Sequence, residues 1–154
     1  MPLPVKLDDV VEALEIGMDE HHYYLDKRTG EIVMITQEEM RAAEADDLVS
    51  EYPEWQRESI LKAREIFESE ADFIQLPDKF DIHEWRIMEE FCLAFDDRRA
   101  GEHLHRLIRG SGAFGRFKHA IYSMGIEKAW YEFKRAKLEE IAIEWLEEER
   151  IPYT

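Results

Sequence analysis

Residues 21–36 read HHYYLDKRTGEIVMIT, and this stretch decides the fold. Two six-residue runs rich in aromatic and β-branched side chains, 21–26 and 31–36, flank the polar turn KRTG. Such runs around a short turn make a β-hairpin. Gly30, closing the turn, supplies the positive φ that a bulged connection requires. Immediately after it the pattern changes. Thr36 and Glu39 stand three apart, the spacing of a capping box, with Ile35 and Met40 placed as the hydrophobic staple outside it. A helix is therefore expected to start at Gln37, directly off the second strand.

Outward from the hairpin the chain is mostly helical. Upstream, DDVVEALEI (8–16) reads as a short helix with Asp8 as N-cap. Downstream, Pro53 suits the start of a helix over 54–69, in which Trp55, Ser59, Ile60, Ala63, Ile66 and Phe67 share one face. FIQLP (73–77) is a short third strand. Asp81 and Glu84 repeat the capping-box spacing, with Phe80 and Trp85 as staple, and open a helix to about Phe95. Helices follow over roughly 98–109, 112–124 and 126–149. The last carries a stripe of Trp130, Tyr131, Leu138, Ile141, Ala142 and Trp145, which Lys134 interrupts by extending its head to water. Strands early and helices late give an α+β fold: a small antiparallel sheet, hairpin plus third strand, packed by about six helices.

The totals bound the class. A chain of 154 residues with 45% apolar and 12% aromatic content can bury a core as one domain spanning 1–154. The single cysteine, Cys92, has no internal disulfide partner, which fits a reducing, cytoplasmic compartment. The opening residues MPLPVKLDD show no apolar leader, and no run reaches the length of a membrane span. A formal charge of −16 favours solubility and repels nucleic acid and anionic membranes at long range. Salt screens that repulsion beyond about 8 Å, so a local basic patch can still act.

One segment departs from the rest. Residues 98–119 (RRAGEHLHRLIRGSGAFGRFKH) hold six basic residues, Arg98, Arg99, Arg106, Arg109, Arg116 and Lys118, against the single acid Glu102. The local balance is +5, which leaves −21 elsewhere. On a helix, Arg98, Arg99, His105, Arg106 and Arg109 fall within roughly a 120° arc, opposite Leu104, Leu107 and Ile108. The bland reading is a solvated face that pairs with the chain's many carboxylates. The sharper one is a face for anions. It is joined to GSGAFG (110–115), a glycine turn in which Gly110 and Gly112 bend the backbone and Ser111 can cap the next helix. The turn matches the dinucleotide fingerprint in letters, but a helix, EHLHRLIR, stands where that motif needs a strand. A helix N-terminus among arginines is what remains, a place for phosphate or carboxylate. The proposed anion-binding set is Arg98, Arg99, Arg106, Arg109, Ser111, Gly112, Arg116 and Lys118. Phe114 could stack a base, although its spacing with Phe117, Ile121 and Met124 marks a core stripe.

Other constellations carry less. HEWRIMEE (83–90) has Ile87 where a zinc protease needs its second histidine, and capping explains Glu84. His103 and His105 diverge on a helix, as do His21 and His22 on a strand. Cys92 falls on an apolar face, as inert core. No metal site and no cofactor is indicated, and no nucleophile elbow, Walker pattern or kinase set is present.

The stretches YYLDKRTGEIVMI (23–35), PEWQRESILKAREIFE (53–68), DFIQLPDKFDIHEWRIMEEFC (72–92), GSGAFGRFKHAI (110–121) and AWYEFKRAKLEEIAIEWLEE (129–148) resemble a bacterial family. It is the one numbered one-five-eight in the uncharacterised-protein-family series, and they cover nearly the whole chain in order. The resemblance implies a bacterial, cytoplasmic protein and brings no activity, substrate or catalytic residue. Three functional classes follow from the residues themselves. The first is a non-catalytic binding or regulatory protein whose basic face engages RNA, a nucleotide or an acidic protein surface, with no membrane role. The second is an interaction protein using its acidic surface, as a nucleic-acid mimic does. The third is a phosphate-ester hydrolase with His119 or His105 as base and Arg109 and Arg116 steadying developing charge.

Overall fold

A computed structural model describes residues 3–16 and 21–154, the side chains of 79 and 80 excepted. The fold is α+β, with a three-stranded antiparallel sheet and a helix-rich C-terminal half. In chain order the elements are α1 (Leu7–Ile16), β1 (His21–Asp26), β2 (Glu31–Thr36), α2 (Gln37–Glu44), α3 (Glu54–Glu68), β3 (Phe73–Gln75), α4 (Lys79–Ile82), α5 (Glu84–Leu93), α6 (Arg98–Leu107), α7 (Ala113–Ser123) and α8 (Glu127–Glu148). The sheet order is β2-β1-β3, so β1 is central and both neighbours are edges. The chain groups into two compact units, the first comprising residues 1–79 and 142–154, the second residues 80–141.

In the first unit the hairpin pairs without a break from His21↔Thr36 to Asp26↔Glu31. Gly30 adopts φ 76°. The Thr36 hydroxyl accepts from Glu39 N, and the Glu39 carboxylate accepts from Thr36 N, closing the expected box. Alternation then sets the core: Val33 and Ile35 face α3, where Ile35 joins Ala43, Ala63, Ile66 and Phe73 in one cluster, with Met40 against it. Beside this core Arg28 grips the buried carboxylate of Asp26 through both its Nε (3.0 Å) and Nη2 (3.1 Å). Its Nη2 also reaches Glu65, at 2.6 Å.

The second unit is built on aromatic side chains. Phe91 of α5 meets Phe117 of α7 and Trp130 of α8 edge-on, at centroid separations of 6.1 and 5.4 Å. Phe117 and Trp130 meet each other at 4.8 Å. These geometries suit the ring quadrupoles and add to simple burial.

Several local expectations differ from the structure. Asp8 lies inside α1, not ahead of it. Trp55 and Phe67, assigned to the apolar face of α3, are 75% and 41% exposed, and the buried face runs through Gln56, Ile60, Ala63 and Ile66; Tyr131, assigned to the stripe of α8, is likewise exposed. The Asp81–Glu84 pair does not open α5: Asp81 is within α4, and α5 opens on His83 in the left-handed region with no side-chain cap. The staple partner Phe80 has its side chain outside the described residues. Glu84 instead accepts from Lys134 Nζ at 2.8 Å, so Lys134 ends in an ion pair and not in open water.

A basic groove beside helix α6

Helix α6 starts where its sequence permits. Asp97 Oδ1 accepts from Arg99 N at 3.0 Å and from Ala100 N at 3.3 Å, satisfying first-turn donors that would otherwise be orphaned. One turn on, Gly101 lets α6 close onto the end of α5. A Cβ there would meet the Cys92 carbonyl oxygen at 2.5 Å. Leu104 and Ile108 are fully buried on the inner side, and the charged residues are left on the outer one.

That outer side forms one wall of an open groove of about 450 Å³. Arg98, His105, Arg106 and Arg109 line it together with the carboxylate of Glu102, and Leu93 and Phe95 from the end of α5 are its apolar part. Arg98 approaches Glu102 at 3.4 Å, an exposed pair of little energetic weight. His105 Nε2 lies 3.3 Å from Glu89. Among the described residues Arg106 and Arg109 form no ion pair. The unit that holds the groove has eleven basic and eleven acidic residues, so the arginines do not sit in a net negative unit.

The rest of the expected set is placed differently. Arg116 reaches back from α7 to cap the end of α6. Its Nε donates to Leu107 O (2.8 Å), Nη2 to Arg109 O (2.7 Å) and Nη1 to Ser111 O (2.7 Å). One guanidinium thus satisfies three carbonyls in the α6–α7 connection, where Gly110 and Gly112 both have φ 77°. Arg116 positions the turn and has few donors left for a ligand. Ser111 contributes its carbonyl to this knot, and the cap position of α7 belongs to Gly112, without a side-chain bond. Lys118 stands over the ring of Phe114, 4.7 Å from its centroid. Phe114 and Met124 are partly exposed while Phe117 and Ile121 are buried, which narrows the expected stripe. Arg99 is exposed on α6 and does not line the groove. Three of the arginines therefore line one groove, and Arg99, Ser111, Gly112, Arg116 and Lys118 do not.

Sequence reading passed over Leu93, Phe95 and Gly101. Leu93 is 72% exposed at the end of a helix whose Ile87, Met88, Phe91 and Cys92 are buried, and its place next to the buried Cys92 gives no hint of that. Burial pushes the Cys92 thiol up to about 11, so it stays protonated at neutral pH and is a poor nucleophile. His119 does not line the groove. Among the described residues no group of three His, Cys, Asp or Glu side chains is placed to hold a metal ion. No described helix is long and apolar enough to cross a membrane. What the groove presents is guanidinium donors and one carboxylate, Glu102, beside the apolar Leu93 and Phe95.

A family model spans all of this architecture, from residue 1 to residue 154. The chain belongs to the uncharacterised protein family UPF0158. No curated protein and no solved structure matches it. Membership in UPF0158 assigns no chemistry to these residues, so function has to be argued from the groove.

Proposed function

We propose that this UPF0158 protein is a non-catalytic binding protein of the bacterial cytoplasm whose α6 groove takes the phosphate of a nucleotide, free or within RNA. The observation that supports this most is the placing of Arg106 and Arg109, without carboxylate partners, beside Arg98 on one wall of the groove. Guanidinium forks match phosphate geometry. The volume lies within the range of small-molecule sites, and Leu93 and Phe95 give a base an apolar surface. The lone cysteine, without a disulfide partner, suits a reducing compartment.

The test compares wild type with an Arg98→Ala/Arg106→Ala/Arg109→Ala variant in binding mixed nucleoside monophosphates and short single-stranded RNA at two salt concentrations. Arg116 is left intact because its loss would disturb the turn. An Arg99→Ala/Lys118→Ala variant is the control for unspecific charge. Each lost contact to single-stranded RNA should lower the log–log salt slope by about 0.7. Equal binding by wild type and the triple variant removes the proposal, as does an equal loss in the control.

A further inference from the structure

The first unit holds a second groove, which shares no residue with the one beside α6. It runs between edge strand β2 and helix α3 and encloses about 410 Å³. Val33 and Met34 line it from the strand; Glu58, Leu61 and Lys62 line it from the helix. Among the described residues no strand pairs with the outer edge of β2. Proteins ordinarily blunt such an edge with lysine, proline or a bulge. β2, EIVMIT, has none of these, and its register with β1 is continuous over six residues. The neighbouring apolar side chains are also uncovered: Met34 is 48% exposed and Leu61 53%.

Charge says what kind of segment fits. The first unit contains 9 basic and 25 acidic residues, so the entire −16 of the chain falls on it. At the groove, Glu31 and Glu58 make no ion pair among the described residues. Glu65 is already held by Arg28 and Lys62. A second copy of this chain would bring an equally acidic unit to the same edge, and like charges disfavour that pairing. An extended segment with basic residues meets the opposite condition.

We propose that β2 accepts an extended, basic segment of a partner protein as a fourth strand of the sheet. Backbone hydrogen bonds to the free edge of β2 supply affinity, and alternate side chains supply selectivity. Residues 31, 33 and 35 point to the α3 side and 32, 34 and 36 to the other, because side chains alternate along a strand. The incoming strand alternates in the same way. Its lysines or arginines lie on the α3 side, where their stems cover Val33 and Leu61 and their heads meet Glu31 and Glu58. Its apolar residues lie on the side of Met34. The recognised pattern is therefore basic–apolar–basic–apolar.

The probe is a short, fluorescently labelled peptide alternating lysine and valine, titrated into the full chain with anisotropy as readout. A peptide methylated at alternate backbone nitrogens serves as comparator. The unmethylated peptide should bind and should slow hydrogen exchange at β2 amides. Glu58→Lys should weaken it roughly tenfold by reversing a charge at the groove, and Glu139→Lys, an exposed change on α8, should leave it unchanged. Equal affinity for the methylated peptide would show that no strand is added. Equal losses in the two variants would show attraction to net charge alone. Either result overturns the proposal, and so does undetectable binding. Protection of β2 that grows with protein concentration in the absence of peptide, together with dimer mass, would instead make a second copy the occupant.

Discussion

Replacing Gly101 by alanine sets two effects of opposite sign against each other within one helix. Alanine is the better helix former, and in an unobstructed helix interior the change stabilises by about 1 kcal/mol. At Gly101 the new Cβ meets the Cys92 carbonyl oxygen at 2.5 Å and Phe95 Cβ at 3.2 Å. Carbon and oxygen ordinarily stand about 3.3 Å apart or more, so one partner must yield by roughly 0.8 Å. The obstacle is backbone at the end of α5, which cannot rotate away as a side chain can. Overpacking of this sort costs about 1–3 kcal/mol, and rigid backbone puts this site at the upper end. The net expectation is a loss of about 2 kcal/mol, or a Tm lower by roughly 4–8 °C for a chain of this size. Gly115 is the internal control. It is also helical, in α7, but a Cβ there meets nothing within 4 Å, so Gly115→Ala should stabilise by about 0.5–1 kcal/mol. Urea titrations followed by far-ultraviolet circular dichroism measure both. If Gly101→Ala stabilises as much as Gly115→Ala, the close approach of α5 and α6 described here is wrong.

Three further perturbations probe other parts of the argument. Arg116→Met should cost about 1–2 kcal/mol in urea titrations, since three carbonyls lose one charged donor at a solvent-exposed position; Arg116→Lys should not restore it, because an ammonium cannot form the fork. The Asp26 carboxyl is raised by burial, but the hydrogen bonds from Arg28 and the charge of Lys62 outweigh that and hold it below its usual value. Its contribution is complete above about pH 4 and is lost as pH falls further, so the urea midpoint of wild type should drop more steeply below pH 4 than that of Asp26→Asn. Cys92, 3% exposed, should react with a thiol reagent at pH 8 far more slowly in the native protein than in urea; equal rates would contradict its burial.

What was legible in the sequence was local. The hairpin, its glycine, and the Thr36–Glu39 box involve groups within a few residues of one another, and the alternation of strand and helix patterns placed them in the right order. The same spacing at Asp81 and Glu84 misled, because the preferred partner of Glu84 is Lys134, fifty residues on, and Trp85 Nε1 donates to Ile108 O at 2.7 Å. No pattern within ten residues announces either bond. Arg116 shows the converse. Its charge suits a ligand, yet the carbonyls left over at the end of α6 are nearer and take it. Trp55 fell on the apolar arc of a wheel, but a wheel gives only the direction of a side chain, and the burial of α3 is taken by Gln56, Ile60, Ala63 and Ile66.

The net charge is the least informative of the global quantities, and the reason bears on both grooves. A value of −16 argues against any anionic ligand if it is spread evenly over the surface. It is not spread evenly: residues 80–141 balance to zero and the other residues carry all of it. At physiological ionic strength a charge is felt over about 8 Å, so what a ligand meets is the set of side chains within a turn or two of its site. Beside α6 that set contains two arginines without carboxylate partners; beside β2 it contains two glutamates without cationic ones. The proposals for the two grooves therefore predict ligands of opposite sign for one chain, each weakened by salt and each weakened by substitutions that leave the other unchanged. A single acidic surface acting through its net charge predicts instead that any change of formal charge, wherever it is made, would move both affinities at once and in opposite directions.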